Sequence, residues 1–343
     1  MTDAHALASP WQEAMDEALA LAAQGPRGVN PQVGCVIVSD DGAVIARGHH
    51  RGAGTAHAEI DALAQAGAEA RGATAVVTLE PCRHTGRTGP CTSALIDAGI
   101  TRVVYAVDDP TAPAAGGAQV LRDAGLEVID GVRRAQGEHL LRGWLSVQRA
   151  GRPHVTLKCG MSLDGRVADA SGGPTALTGA QARAHAHAVR AEVDAIVVGT
   201  GTALIDDPSL TARRPDGSLF PHQPLRVVVG TRTLPATARV LDDAAPSLLV
   251  TDHDPAVLVA SLLARGVQTV VVEGGPTLAA AMLEADLIDA VAWYVAPVVL
   301  GAGPLALPTL GGHRELNVTA VSILGTDVLI EGTLMARGSR PQR

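Results

Sequence analysis

The sequence predicts two α/β domains in tandem, and three observations carry that expectation. Short apolar runs alternate with helical patterns along nearly the whole chain, as strands joined by crossover helices require. The alternation breaks at Ala150-Gly151-Arg152-Pro153 and restarts with an apolar run at His154–Cys159. A chain of 343 residues holds two domains of ordinary size. We therefore place a first domain at 1–150, read as a three-layer sandwich, and a second at 151–338.

The elements follow in order. Ser9-Pro10, then Trp11, Met15, Ala18, Leu19 and Ala22, read as a capped amphipathic helix ending at Gly25. Val33–Val38 and Ala43–Arg47 flank Asp40-Asp41-Gly42, a hairpin signal. His57 opens a helix to Ala66, and strand Val76–Leu79 precedes helix Cys91–Ala98. Strand Arg102–Val107, helix Gly117–Ala124, strand Glu127–Ile129 and a linking helix Arg133–Gln148 complete the first domain. In the second, Ala182–Arg190 reads as helix. Ala195–Gly199, Arg226–Val229, Ser247–Thr251, Thr269–Glu273, Ala290–Val295, Val318–Leu324 and Val328–Thr333 read as strands. Asp206–Arg213 reads as a turn and strand dense in polar groups.

Composition narrows the function. Nearly half the chain is apolar, but with three Trp, two Tyr and one Phe the cores must be aliphatic. A net charge of −8 without a basic run argues against a nucleic-acid partner. No apolar run reaches the roughly 18 residues of a membrane span. No leader pattern opens the chain, and the four cysteines lack a disulfide-framework spacing. A cytoplasmic enzyme is expected. Lys158 is the only lysine.

The chemistry is concentrated in His57-Ala58-Glu59, Pro81-Cys82 and Cys91. One imidazole and two thiols make a three-ligand zinc set, which leaves a position open for water as catalytic sites do. Two thiolates balance the charge of Zn²⁺, and the metal still acidifies the water. Glu59 is not a ligand; it is placed to move protons from that water to a departing amino group. The H-x-E…P-C order is the signature of zinc-dependent base deaminases. His57 and Glu59 converge only at a helix entry, because i and i+2 diverge within a helix. Helix N-termini are expected to favour the thiolates of both cysteines. Eight residues, Arg83 to Pro90, separate the cysteines, and their cations, hydroxyls and glycines suit a phosphorylated substrate.

The second domain has two strand–glycine–helix turns, Gly199-Thr200-Gly201-Thr202 and Glu273-Gly274-Gly275-Pro276-Thr277. Such turns offer bare N–H groups to phosphate, although by themselves they often serve only as tight turns. No G-x-G-x-x-G follows its first strand, so a Rossmann fold is not indicated. Gly230-Thr231-Arg232-Thr233 ends a strand; its hydroxyls and guanidinium suit a dianionic phosphate, and NADPH is expected over NADH, with Thr231 and Arg232 reading the 2′-phosphate.

These motifs together resemble a known family. Asn30–Val38, His57–Glu59 and Thr78–Cys91 are similar to the deaminase half of the RibD family of bifunctional riboflavin biosynthesis proteins, which the long insert between the cysteines distinguishes from other zinc deaminases. Lys158–Arg166 and Glu273–Leu278 are similar to its reductase half, and the resemblance runs in order over nearly the whole chain. It implies a cytidine-deaminase-like three-layer sandwich followed by a dihydrofolate-reductase-like α/β domain that binds NADPH. It also implies a small phosphorylated pyrimidine substrate, which is deaminated and then reduced at its ribose. Residue by residue, it assigns Asn30, His50, His84 and Arg87 to the pyrimidine and phosphate in the first site. Thr202, Asp206, Thr231 and Gly275-Pro276-Thr277 fall on cofactor contacts. Arg190, Leu210, Arg213 and Glu273 fall on substrate contacts, Arg190 and Arg213 toward the phosphate, with Lys158 near the sugar. The chain departs from the family pattern at Thr111 and at Gly173–Ala176. A homo-oligomer is expected. A deaminase of another nucleotide, and a nucleotide-sensing module without turnover, are the alternative readings.

Overall fold

The computed structural model describes residues 11–84, 89–173, 175–308 and 310–335, in two compact units, Met1–Gly151 and Arg152–Arg343. The first unit is built on a five-stranded sheet of β1 (Gly34–Val38), β2 (Val44–His49), β3 (Thr74–Leu79), β4 (Arg102–Val107) and β5 (Glu127–Ile129). The order is β2-β1-β3-β4-β5. β1 is antiparallel to β2 and β3, and β3, β4 and β5 run parallel. The β1–β2 hairpin turns at Gly42, whose φ of 89° favours glycine, and Ser39 N–H donates to Ala43 O at 2.8 Å to close it.

Both faces of this sheet are covered. α2 (Ala58–Ala66), α3 (Cys91–Asp97) and α4 (Gly117–Asp123) lay Ala58, Ala62, Leu95 and Leu121 on one face. α1 (Gln12–Ala22) and α5 (Arg134–Ala150) lay Met15, Ala18, Leu141 and Trp144 on the other. The result is a three-layer sandwich, and β1 and β3 are buried along their whole length because neither of their faces meets water. Trp11 precedes α1 without a side-chain cap, and the expected Ser9-Pro10 cap lies outside the described residues.

The second unit is an eight-stranded sheet in the order β12-β13-β11-β6-β10-β7-β8-β9. Its strands are β6 (His154–Ser162), β7 (Ala195–Gly199), β8 (Leu225–Val229), β9 (Ser247–Val250), β10 (Thr269–Val272), β11 (Ala290–Ala296), β12 (Leu316–Leu324) and β13 (Asp327–Leu334). β6 to β11 run parallel, and β13 and β12 add an antiparallel edge. The crossovers include α6 (Ala180–Ala191), α7 (Thr200–Asp206), α8 (Pro255–Leu263) and α9 (Pro276–Glu284).

The strand expected within Asp206–Arg213 does not form. Asp206 ends α7, and Arg213 makes only an isolated bridge to Leu219. Asp207 and Leu210 take left-handed backbone, φ 40° and 52°, which a strand excludes. The segment is held instead by Arg226 at the start of β8. This fully buried guanidinium donates to Ser209 O and Arg239 O, each at 3.2 Å, and pairs with Asp242 at 2.7 Å.

Close backbone approach positions α2. A Cβ on Gly48 would lie 2.3 Å from Ala58 O and 2.5 Å from Ala62 N, so only glycine lets β2 seat this helix so closely. Gly48→Ala is therefore expected to cost the first unit at least about 1–3 kcal/mol, the usual scale for overpacking. Denaturant unfolding should show that unit melting earlier while the second unit's transition is unmoved.

Candidate functional site

His57 sits at the entry of α2. It has extended backbone (ψ 158°), and the helix begins at the next residue. Its side chain therefore leaves the helix axis while Glu59, one residue inside, turns toward the same space. Cys91 is the first residue of α3, and Cys82 lies in the loop after β3. The expectation of a helix N-terminus at both thiols thus holds for Cys91 and fails for Cys82, which stands nine positions before α3 begins. The long insert between the cysteines separates them from a shared helix start.

The three donors converge. His57 Nδ1 is 3.2 Å from Cys91 Sγ and 3.7 Å from Cys82 Sγ, and all three ligand atoms lie within 4.8 Å of one another. Donors of a tetrahedral zinc with this ligand set stand about 3.5 Å apart, so the set fits the ion. Charge leads to the same conclusion. The hydrogen bond from Cys91, then that from His57, pulls Cys82 well below the ordinary thiol range. Its bond to Cys82, together with burial, pushes Cys91 far above that range. One thiolate forms readily, but a second needs a cation to offset its charge. The Cys82 contact also raises His57.

Glu59 is 4 % exposed, and burial raises its carboxyl above the ordinary range. A carboxyl shifted toward its protonated form is suited to take and return a proton. His50 meets His57 edge to face at 5.8 Å between centroids, and Asn30 Nδ2 lies 3.1 Å from His50 Nε2. The structure thus brings Asn30 and His50 to the ligand set. His84 Nδ1 is buried without a hydrogen-bond partner among the described residues, a polar atom available to a ligand. Arg87 lies outside the described residues.

In the second unit a cavity of about 910 Å³ opens at the ends of β7, β8 and β10 and beside the middle of β6. Thr202, Asp206, Thr231 and Arg232 line it, with Gly275, Pro276 and Thr277 at the start of α9. Lys158, Arg190 and Glu273 line another part. The glycine turns lie close to these side chains: a Cβ on Gly201 would lie 2.7 Å from Arg232 Nη2, and one on Gly275 would lie 3.2 Å from Thr202 Oγ1. Gly275 precedes α9 without a side-chain cap and Pro276 has no N–H, so the N–H groups of Thr277 and Leu278 are the ones in the first turn that can meet a phosphate. The cavity thus fits a phosphate-bearing dinucleotide.

The Glu273 side chain is 8 % exposed, yet its carboxyl stays well below the ordinary range, because the Arg190 and then Lys158 charges outweigh burial. Arg190 grips it with Nε to Oε1 at 2.8 Å and Nη2 to Oε2 at 2.7 Å, and Lys158 Nζ stands 3.5 Å away. Arg190's fork is therefore engaged by a carboxylate rather than free for phosphate. Leu210 and Arg213 do not line the cavity; the Leu210 side chain is 3 % exposed and packs with Ile196 and Val228 in the core. Three cationic or titratable groups that sequence reasoning passed over do line it: Arg183, His187 and His253. Arg183, His187 and Arg190 stand at helical i, i+4, i+7 spacing, a signal that the sequence contained. His253 follows β9, which pairs parallel to β8 with Val229 opposite Val250.

These two sites, a His/Cys/Cys zinc set beside a buried glutamate and a dinucleotide cavity in a separate α/β unit, define a deaminase joined to a reductase. Residues 9–107 match the family model described as "Cytidine and deoxycytidylate deaminase zinc-binding region", and residues 153–330 match "RibD C-terminal domain". The "Riboflavin biosynthesis protein RibD" of Mycobacterium tuberculosis is 45% identical over 95% of this chain and 98% of its own length. That of Escherichia coli K12 is 41% identical over 84% and 87%. A solved structure of Acinetobacter baumannii RibD has a TM-score of 0.78 at 35% identity, covering 95% of this chain and 99% of that one. The Thermotoga maritima structure titled as a diaminohydroxyphosphoribosylaminopyrimidine deaminase/5-amino-6-(5-phosphoribosylamino)uracil reductase has a TM-score of 0.79 at 30% identity, with the same coverage.

The chain belongs to the RibD family, the bifunctional deaminase–reductases of riboflavin biosynthesis. Its deaminase domain is a zinc domain, its reductase domain uses NADPH, and its substrates are small pyrimidines. No described helix is long and apolar enough to cross a membrane.

A Cys82→Ser/Cys91→Ser double variant is expected to lose the one zinc per chain that the wild type holds. Metal analysis of the purified, folded protein checks this, and a fully loaded double variant would refute the ligand set.

Proposed function

We propose that 1–150 hydrolyses the 2-amino group from 2,5-diamino-6-(5-phosphoribosylamino)pyrimidin-4(3H)-one, and that 151–338 then reduces the ribose of the resulting uracil to the ribityl chain. The observation that carries this is the convergence of His57, Cys82 and Cys91 beside the buried Glu59. Zinc, when bound there, acidifies a water to give a nucleophile near neutral pH. Glu59 would take one proton from that water and deliver it to the amino nitrogen, which leaves as ammonia; the remaining proton of the water passes to the ring nitrogen, so the attacked carbon is left as a carbonyl. Asn30, His50, His84 and Arg87 hold the pyrimidine and its phosphate.

In the second domain NADPH supplies hydride to C1 of the opened ribose. Thr202, Asp206 and Gly275-Pro276-Thr277 hold the cofactor, and Thr231 and Arg232 read its 2′-phosphate. Glu273, fixed by Arg190 and Lys158, orients the sugar hydroxyls. Arg183, exposed at the cavity with Nη1 donating to Thr178 O, offers the rest of its guanidinium to the substrate phosphate where Arg190 is engaged. The enzyme works in the cytoplasm as a homo-oligomer. The exposed apolar side chains Val318, Val321 and Ile323 on edge strand β12 support the oligomer, and sedimentation of the purified chain tests it.

Two experiments test the site assignments. Glu59→Gln should keep its zinc and lose deamination by about 10²-fold or more, the scale of a lost general acid–base. It should still reduce the deaminated intermediate supplied to it. An ammonia-release assay run beside NADPH oxidation reads both activities. Arg232→Ala should raise the KM for NADPH and leave that for NADH nearly unchanged, because only the former carries the phosphate that a guanidinium binds. Equal losses with both cofactors would remove Arg232 from that role.

A further inference from the structure

Glu80 lies between β3 and Cys82 and takes no part in the metal set. It is 7 % exposed, and its carboxylate faces backbone rather than water. Oε1 accepts from Gly116 N–H at 3.1 Å and Ala118 N–H at 2.9 Å, and Oε2 accepts from Asp109 N–H at 3.2 Å. The three donors come from the two ends of one segment, 109–118. Within it the Asp109 carboxylate accepts from Thr111 N–H at 2.8 Å and Thr111 Oγ1 at 2.6 Å, and Ala115 N–H returns to Thr111 O at 2.9 Å. The segment is a compact turn, and Glu80 closes it.

That turn is pressed onto the zinc cysteines. Ala114, 4 % exposed, packs with Cys82 and Cys91. A Cβ on Gly117 would lie 1.8 Å from Pro81 O, so the far end of the turn sits directly on the peptide before Cys82. Glu80 N–H donates to Val107 O at 2.8 Å, which ties its own backbone to the end of β4, where the turn begins. One buried carboxylate therefore fixes a wall beside the ligand set from within the same short loop that supplies a ligand.

We propose that Glu80 is a positioning residue of the deaminase: by accepting three backbone hydrogen bonds it holds the 109–118 turn against Cys82 and Cys91 as the wall on which the pyrimidine is seated. The proposal rests on the assignment of the zinc site and Glu59 above. It predicts an effect on substrate binding rather than on metal or proton transfer, because the turn carries neither a ligand nor Glu59. A wall that contacts ground state and transition state alike governs KM more than kcat.

The test uses zinc-loaded, full-length protein. Glu80→Gln keeps the shape but offers one oxygen and one NH₂, so in either orientation an N–H faces a backbone N–H. It should bind one zinc and raise the deaminase KM about tenfold, the scale of a buried donor left unsatisfied. Its kcat should stay within roughly threefold, and its reductase rate should be unchanged. Glu80→Asp, which keeps two oxygens on a shorter arm, should restore part of the KM; if the Gln protein does not fold, the Asp protein is read by the same criteria. A wild-type KM in the zinc-loaded variant would overturn the assignment while leaving the zinc reading intact. Loss of zinc from both variants, or a parallel loss of reductase activity, would overturn it too, since Glu80 would then hold the ligands or the fold at large. Zinc retained by the double cysteine variant would instead bring down the reading on which the proposal rests.

Discussion

Parallel pairing is the constraint on which both halves of this molecule depend. A parallel strand can be followed by another only after a crossover, so successive strand ends open on one edge of the sheet and each is followed by a loop and a helix start. In the first unit, β3 ends just before Glu80-Pro81-Cys82, and β4 ends just before the turn that closes over them. In the second unit, β7, β8 and β10 deliver Gly199–Thr202, Gly230–Arg232 and Glu273–Thr277 to one cavity. Chemistry gathers at these edges because polar backbone and side-chain groups there are not consumed by the ladder.

Two buried glutamates show how the surroundings divide labour between identical side chains. Glu59 lies among thiols, and burial dominates, so its carboxyl is shifted toward the protonated form. Glu273 is buried as well, but Arg190 and Lys158 stand against it and keep it ionised. The first environment suits a group that carries protons, and the second suits a fixed charge that orients hydroxyls. Arg190 illustrates the cost of that arrangement. Its fork is committed to the Glu273 carboxylate.

Much was legible in the sequence because local chemistry determined it. The apolar runs marked strands to within a few residues, as with Arg102–Val107 and Ala195–Gly199, since a strand buried on both faces has to be aliphatic throughout. The ligand set was equally legible: one His and two Cys, with Glu59 beside them, carry their meaning in their own side-chain chemistry. The short helix after Gly199 and the one after Gly275 followed from glycine turns that end strands. In each case neighbours in sequence are neighbours in space.

The rest was decided by residues distant in sequence. Nothing in the local pattern around Cys82 says that it stays in a loop, because that depends on how the turn from 109 to 118 packs over it. Leu210 carries no sign of being buried; a guanidinium from Arg226, on a strand paired elsewhere, pins its segment into left-handed backbone and turns its side chain to the core. His253 reaches the cavity only through the register of β9 on β8. Sequence by itself determined most of the elements and the residues that gather as metal donors. Tertiary structure decided which cations remain free, which loops close over the thiols and which side chains reach the cavity, because packing and strand register are properties of the whole chain rather than of any segment.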